Sequence, residues 1–212
     1  MTKESPTFSK LIYGTWRLAD DNPGDPKEIL ERIHICLDLG ITTFDCADIY
    51  GAYTYEKIFG DALALEPQLR SRMQIVTKCG ILISCEKQPG VYVKHYDTSY
   101  EHITKSVSNS LKYLQTDYID CLLIHRPDPF MDVKEVVRAF KDLKESGEVR
   151  SFGVSNFTPS QFDLLKSKLD VEGIPLVTNQ IEMSVMRLDP WLDGTLDQLQ
   201  VLKSLLLMIS SV

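Results

Sequence analysis

The sequence predicts an α/β fold in which helices wrap a parallel sheet, and three observations carry that prediction. Several short runs are apolar throughout instead of alternating, as strands buried on both faces must be. The segments between them space their apolar residues as amphipathic helices do. Finally, four polar residues rarely found in a core, Asp45, Tyr50, Lys78 and His125, fall at or just past the ends of such runs. In a parallel barrel the C-terminal strand ends converge on one face, where catalytic groups are built. An enzyme with a parallel-barrel core is the expectation.

The first strand is read at LIYGTW, residues 11–16. It runs into Gly14, Thr15 and Trp16 without the Gly-rich phosphate turn that an open doubly wound sheet carries after its first strand, which favours the closed barrel. A helix follows from Pro26 to Leu39, with Ile29, Leu30, Ile33, Cys36 and Leu37 on one face and Gly40 just past its end. Strands are then expected at ITTFD, ending at Asp45, and MQIVTK, ending at Lys78. The stretch from Cys79 to Tyr96 is too long for a tight turn and carries Gly80, Pro89 and Gly90. It reads as a loop over the catalytic face that lines a pocket, or else as a plain surface insertion. Helical spacing returns over residues 98–114 and 131–145, separated by the strand YIDCLLIH ending at His125. Two more strands are read at RSFGVS, ending at Ser155 with Asn156 next, and at LVTNQ, ending at Gln180.

Composition sets limits on function. A chain of 212 residues, 43% hydrophobic and 25% charged, has the length for one sizeable core, and a single domain over residues 1–212 is expected. The net charge of -7, with no dense basic run, argues against nucleic acid as a partner. The five cysteines, Cys36, Cys46, Cys79, Cys85 and Cys121, form no Cys-x-x-Cys pair and read as reduced thiols, with no metal site among them. Neither a signal peptide nor a membrane span is visible, so a cytoplasmic location and no membrane partner are expected.

The segments GITTFDCADIYG, IVTKCG, DYIDCLLIHRPDP, FGVSNF and TNQIE, in this order, resemble the aldo-keto reductase superfamily, and HRPDP, FGVSNFTPSQF and LDGTLDQLQ resemble a bacterial oxidoreductase subgroup within it. The resemblance implies a (β/α)8 TIM-barrel type fold and reduction of a small-molecule aldehyde or ketone by NADPH (forming NADP+), without metal. It assigns Tyr50 as proton donor, Lys78 as the modulator of its acidity, Asp45 as the partner of the lysine and His125 as the group that orients the carbonyl. Chemistry makes the same residues intelligible, since a phenol of pKa near ~10 needs a cation beside it to give up a proton at neutral pH. The resemblance further implies cofactor contacts from Gly14, Thr15, Trp16, Asp45, Ser155, Asn156 and Gln180. Taken one at a time these residues have plainer readings: a buried ion pair, a core histidine, a loop tyrosine, a cap or turn role for Ser155 and Asn156, a rim aromatic at Trp16. Asp48 reads as a solvated or capping residue without catalytic duty.

A complete barrel of eight βα units takes about 250 residues, and this chain reaches its sixth strand at Gln180. A helix is expected over residues 192–202, and the tail from Lys203 to Val212 holds an apolar run, LLLMI, that reads as a seventh strand without the turn that should follow it. The expectation is therefore an incomplete barrel of about six βα units plus a short tail. On that expectation the barrel is C-terminally truncated, short of the loops that grip the cofactor phosphates in the family, and open to an oligomer covering the gap. The alternative function is an inactive or non-catalytic reductase scaffold serving as a binding or regulatory module.

Overall fold

A computed structural model describes residues 7–19, 24–202 and 205–209. Residues 1–6, 20–23, Lys203, Ser204 and residues 210–212 of the tail lie outside it. The chain begins with β1 (Ile12–Gly14), α1 (Pro26–Asp38), β2 (Thr43–Asp45), α2 (Tyr55–Leu63) and β3 (Gln74–Cys79). A small hairpin, β4 (Ile81–Leu82) and β5 (His95–Tyr96), interrupts the rhythm before α3 (Tyr100–Leu114). Regular alternation then resumes with β6 (Cys121–Ile124), α4 (Val133–Ser146), β7 (Phe152–Ser155), α5 (Pro159–Leu169) and β8 (Leu176–Glu182). The described chain finishes with α6 (Asp189–Leu192), α7 (Thr195–Leu202) and β9 (Leu205–Ile209).

Seven strands pair in parallel in the order β1-β2-β3-β6-β7-β8-β9, which is an incomplete (β/α)8 barrel. All six expected strands are present: β1, β2, β6 and β7 are shorter than expected, β3 is shifted by one residue, and β8 runs on to Glu182. The apolar tail run is indeed a seventh strand, registered with β8 from Thr178↔Leu205 to Glu182↔Ile209.

Helix starts follow local chemistry. Asp25, Ser99, Asp132 and Thr158 each accept a backbone N–H with the side chain at the N-terminus of α1, α3, α4 and α5. Three helices, α2, α5 and the one-turn α6, were not singled out in the sequence. In α5 a capping box between Thr158 and Gln161 precedes a helix that buries only Phe162, Leu165 and Leu169. In α2, Gly60 breaks the apolar pattern, and the reason is packing. A Cβ at Gly60 would sit 1.9 Å from the Tyr113 carbonyl oxygen, so α2 and α3 cross at backbone contact.

Strand alternation divides the core into layers. Ile75, Leu122, Ile124, Phe152, Val154 and Leu176 face outward beneath the helices, in two large apolar clusters. Val76, Cys121, Leu123 and Val177 fill the interior, and Phe8 packs against them from the N-terminal segment. On the same interior face as Val76, two residues further along β3, stands Lys78. Interior packing is close enough that a Cβ at Gly153 would meet the Thr178 carbonyl oxygen at 2.7 Å and Leu123 Cδ2 at 2.8 Å.

The Gly60→Ala variant should lose about 3 kcal/mol or more, because the obstructing atoms are backbone and neither helix can yield locally. Urea unfolding monitored by circular dichroism checks this, and an unchanged midpoint would contradict the close crossing.

Candidate functional site

The C-terminal ends of β2, β3 and β6, with the loop after β2, deliver Asp45, Tyr50, Lys78 and His125 to one place. Lys78 is fully buried, and its Nζ lies 2.8 Å from Asp45 Oδ1. It also donates to the Cys46 carbonyl oxygen at 2.7 Å and to Tyr50 Oη at 3.0 Å. The Tyr50 ring meets His125 edge-on at 5.8 Å between centroids and stacks against Trp16 at 6.4 Å. Past Tyr50 the chain makes a strained turn: Gly51, Ala52 and Tyr53 all have left-handed backbone, with φ of 55°, 50° and 66°.

Burial and charge tune each group. Burial works against the Lys78 ammonium, but Asp45 and the Tyr50 oxygen outweigh it, and the net direction is up. Burial pushes the Tyr50 phenol up as well; Lys78 opposes this without reversing it, so the phenol is held protonated at neutral pH. Lys78 thus acts in the expected direction, lowering the phenol, but desolvation is the larger effect. His125 is pushed well below 6.5 by burial and by the charges of Lys78, Arg126 and Lys94, which keeps its imidazole neutral.

Above these residues opens a cavity of about 440 Å³. Trp16, Ile49, Tyr50, Ile81 and Ile83 supply much of its wall, and His125, Arg126, Ser155, Asn156 and Glu182 supply polar groups. The long segment after β3 contributes Ile81, Ile83 and Lys94, so it does line a pocket.

The Aldo/keto reductase family model matches residues 10–193. The chain belongs to the aldo-keto reductase family. It is 54% identical over 197 residues to the uncharacterized oxidoreductase YcsN of Bacillus subtilis, covering 93% of this chain and 64% of that protein. It is 47% identical over 193 residues to a 6-dehydroglucose reductase of Agrobacterium fabrum, covering 91% and 64%. Among solved structures, the glycerol dehydrogenase AKR11B4 of Gluconobacter oxydans superposes with a TM-score of 0.79 at 29% identity, over 98% of this chain and 61% of the other. The chain thus spans just under two thirds of the length of the curated relatives it matches.

In this aldo-keto reductase, five of the seven residues expected at the cofactor, Thr15, Asp45, Ser155, Asn156 and Gln180, are joined by hydrogen bonds. Gln180 Nε2 donates to Asp45 Oδ1 at 3.1 Å, and Ser155 Oγ donates to the Gln180 carbonyl oxygen at 3.0 Å. Asn156 Nδ2 donates to Ser155 Oγ at 2.9 Å, while Asn156 Oδ1 accepts from the Glu182 backbone N–H at 2.8 Å. Asn156 holds a left-handed turn with φ of 56°, and the cap of α5 belongs to Thr158, so capping is not what Asn156 does here. Gln180 Oε1 is buried without a hydrogen-bond partner. An orphaned amide oxygen among hydroxyl and amide groups fits a carboxamide such as that of nicotinamide, which brings a matching N–H. Thr15 turns inward from the same region, donating its hydroxyl to the Asp45 carbonyl oxygen at 3.1 Å, whereas Trp16 is 54% exposed on the cavity rim.

Sequence reasoning passed over Arg126 and Glu182, which form an ion pair of 3.1 Å across the cavity. Both sit at strand ends, one residue past His125 and two past Gln180, so their position was a usable signal. Asp48 needs correction. It is buried, accepts from Ser106 Oγ at 2.8 Å, and is neither solvated nor a cap. Burial and the neighbouring Glu56 push its carboxyl up to about 8, and burial brings Glu56 to about 7. The cysteines are unpaired, with Cys36, Cys46, Cys79 and Cys121 buried, and no cluster suited to a metal occurs among the described residues. No helix among those residues is long and apolar enough to cross a membrane.

A carboxyl whose folded pKa is raised binds its proton in the folded state over a range where the unfolded chain has released it, so stability falls as pH rises through that range. For Asp48 the range runs from 3.8 to about 8. Asp48→Asn should therefore gain stability relative to the parent as pH rises from 5 to 8, at a slope of no more than about 1.4 kcal/mol per pH unit. Denaturant titrations of both chains at several pH values check this; parallel stability profiles would show that Asp48 does not titrate in that window.

Proposed function

We propose that this chain reduces an aldehyde or ketone to the alcohol, using NADPH, with Tyr50 as the proton donor. The observation that carries the reading is the 3.0 Å contact between Lys78 Nζ and Tyr50 Oη at the floor of a cavity that His125 also borders. When bound, the reduced nicotinamide supplies the hydride. Reduction places negative charge on the carbonyl oxygen, and Tyr50 neutralises it by giving up its proton. The phenolate left on Tyr50 lies against the Lys78 ammonium, which stabilises it more strongly in this dry setting than water would. Asp45 balances the lysine, so the site need not bury a lone charge. His125, held neutral, offers a hydrogen bond that aims the carbonyl oxygen without competing as an acid.

Ser155, Asn156 and Gln180 would hold the carboxamide edge of the cofactor. Trp16, Ile49, Ile81 and Ile83 would exclude water from the reacting centre, while Arg126, Glu182 and Lys94 provide partners for hydroxyl groups on the substrate. That mixture favours a hydroxylated carbonyl compound, in keeping with the 6-dehydroglucose reductase among the relatives.

Tyr50→Phe should lower kcat by about 10²-fold to 10⁴-fold with a small change in KM, since it removes a proton transfer while keeping the ring. Loss of nicotinamide absorbance with an activated aldehyde measures this, and undiminished turnover would exclude Tyr50 as the acid. NADPH binding by a parent chain that shows no turnover would favour the scaffold alternative.

A further inference from the structure

The outer side of β3 carries a second polar cluster that the reaction above does not use. Thr77 Oγ1 donates to Glu56 Oε1 at 2.6 Å, and Ser110 Oγ donates to Glu56 Oε2 at 2.9 Å. One turn earlier on α3, Ser106 Oγ donates to Asp48 Oδ2 at 2.8 Å. Glu56 is 4% exposed and Asp48 9%, and both line a cleft of about 270 Å³ between α2, α3 and the segment after β4. The cluster is tied to the catalytic side by backbone. Asp48 N–H donates to the Lys78 carbonyl oxygen at 3.1 Å, while Lys78 Nζ grips Cys46 in the same segment. Thr77 and Lys78 are neighbours on β3 pointing to opposite faces.

Two buried carboxyls cost stability that apolar groups of the same volume would not, so a purely structural join had a cheaper form available. We propose that Glu56 and Asp48 are positioning residues, held by the hydroxyls of Thr77, Ser106 and Ser110, that fix β3 and the Tyr50 loop so that the Lys78 ammonium meets the Tyr50 oxygen. The inference rests on the proposed role of that pair as the acid. Charged and titratable groups facing the cluster are Lys78 and Cys79 through β3, Cys46 just past β2, His102, Lys105 and Tyr113 on α3, and Lys87 and Tyr53 at the cleft mouth.

The test uses Glu56→Leu, which removes both hydrogen bonds while keeping the volume, and Glu56→Gln, whose amide can retain both. Proteins labelled with ¹³C at tyrosine Cζ report the Tyr50 resonance, assigned by its loss in Tyr50→Phe, and need no substrate or cofactor. Glu56→Leu should move that resonance and lower kcat about 10-fold to 100-fold with KM nearly unchanged, and Glu56→Gln should restore both. A folded Glu56→Leu protein with the parental resonance would overturn the proposal, as would a Glu56→Gln protein as impaired as the leucine variant. Should Glu56→Leu not fold, Thr77→Val and Ser110→Ala each remove one of the two bonds and are read in the same way. A parent chain that reduces no carbonyl would refute the functional reading alone, since the resonance still decides the positioning role.

Discussion

A lysine with no exposed surface is the constraint around which this molecule is arranged. Moving an ammonium out of water costs several kcal/mol even after relaxation, and only close, well-directed partners repay it. Lys78 has three of them: the Asp45 carboxylate, the Cys46 carbonyl and the Tyr50 oxygen. Asp45 in turn is fixed by Gln180 from the far side of the barrel, 135 positions along the chain. The ion pair thus ties β2, β3 and β8 to one another, and its geometry can exist only if the parallel strands are in register.

Strand alternation makes this arrangement affordable. Along β3, Ile75, Thr77 and Cys79 face the helices while Val76 and Lys78 face the interior. Helix packing is therefore satisfied by one set of residues, and the other set is released for chemistry at the C-terminal end. The same division recurs on β6, where Leu122 and Ile124 support α4 and α5 and leave His125 to close the run beside the cavity. At the opposite end of the barrel, polar groups pair with one another and with an aromatic ring. Arg70 pairs with Asp120 at 2.7 Å, and its guanidinium lies 3.9 Å from the centre of the Tyr118 ring, with Arg150 at 3.4 Å from the same ring.

The strands and the four convergent residues were legible because a two-sided buried strand leaves one signature, an unbroken apolar run, and a polar residue closing it is conspicuous. Lys78 and His125 were found that way. What could not be read was anything requiring a distant partner. Asp48 looks solvated in sequence because Ser106, 58 positions later, is what buries it; Glu56 looks like an ordinary first-turn acid until Thr77 and Ser110 enclose it. The helix α2 was obscured by Gly60, whose backbone contact with α3 is invisible to periodicity. Arg126 and Glu182 escaped notice because charged residues beside a strand end usually lie in solvent, whereas these two reach across the cavity to each other.

The opposed shifts of Tyr50 and His125 give the proposed reaction its direction of proton flow. Both residues border the place where a carbonyl oxygen would rest, and burial acts on both, but it favours the neutral form of each: phenol for tyrosine, imidazole for histidine. At neutral pH the phenol then still carries its proton, beside the Lys78 ammonium. The net upward shift of Tyr50 does not weaken that role, because the ammonium acts chiefly on the product of the transfer. A phenolate 3.0 Å from Lys78 forms a charge pair where the phenol formed only a hydrogen bond, so the contact strengthens as the proton leaves. Stabilisation that grows along the reaction coordinate lowers the barrier, whereas a phenolate already present at rest would leave no proton to give.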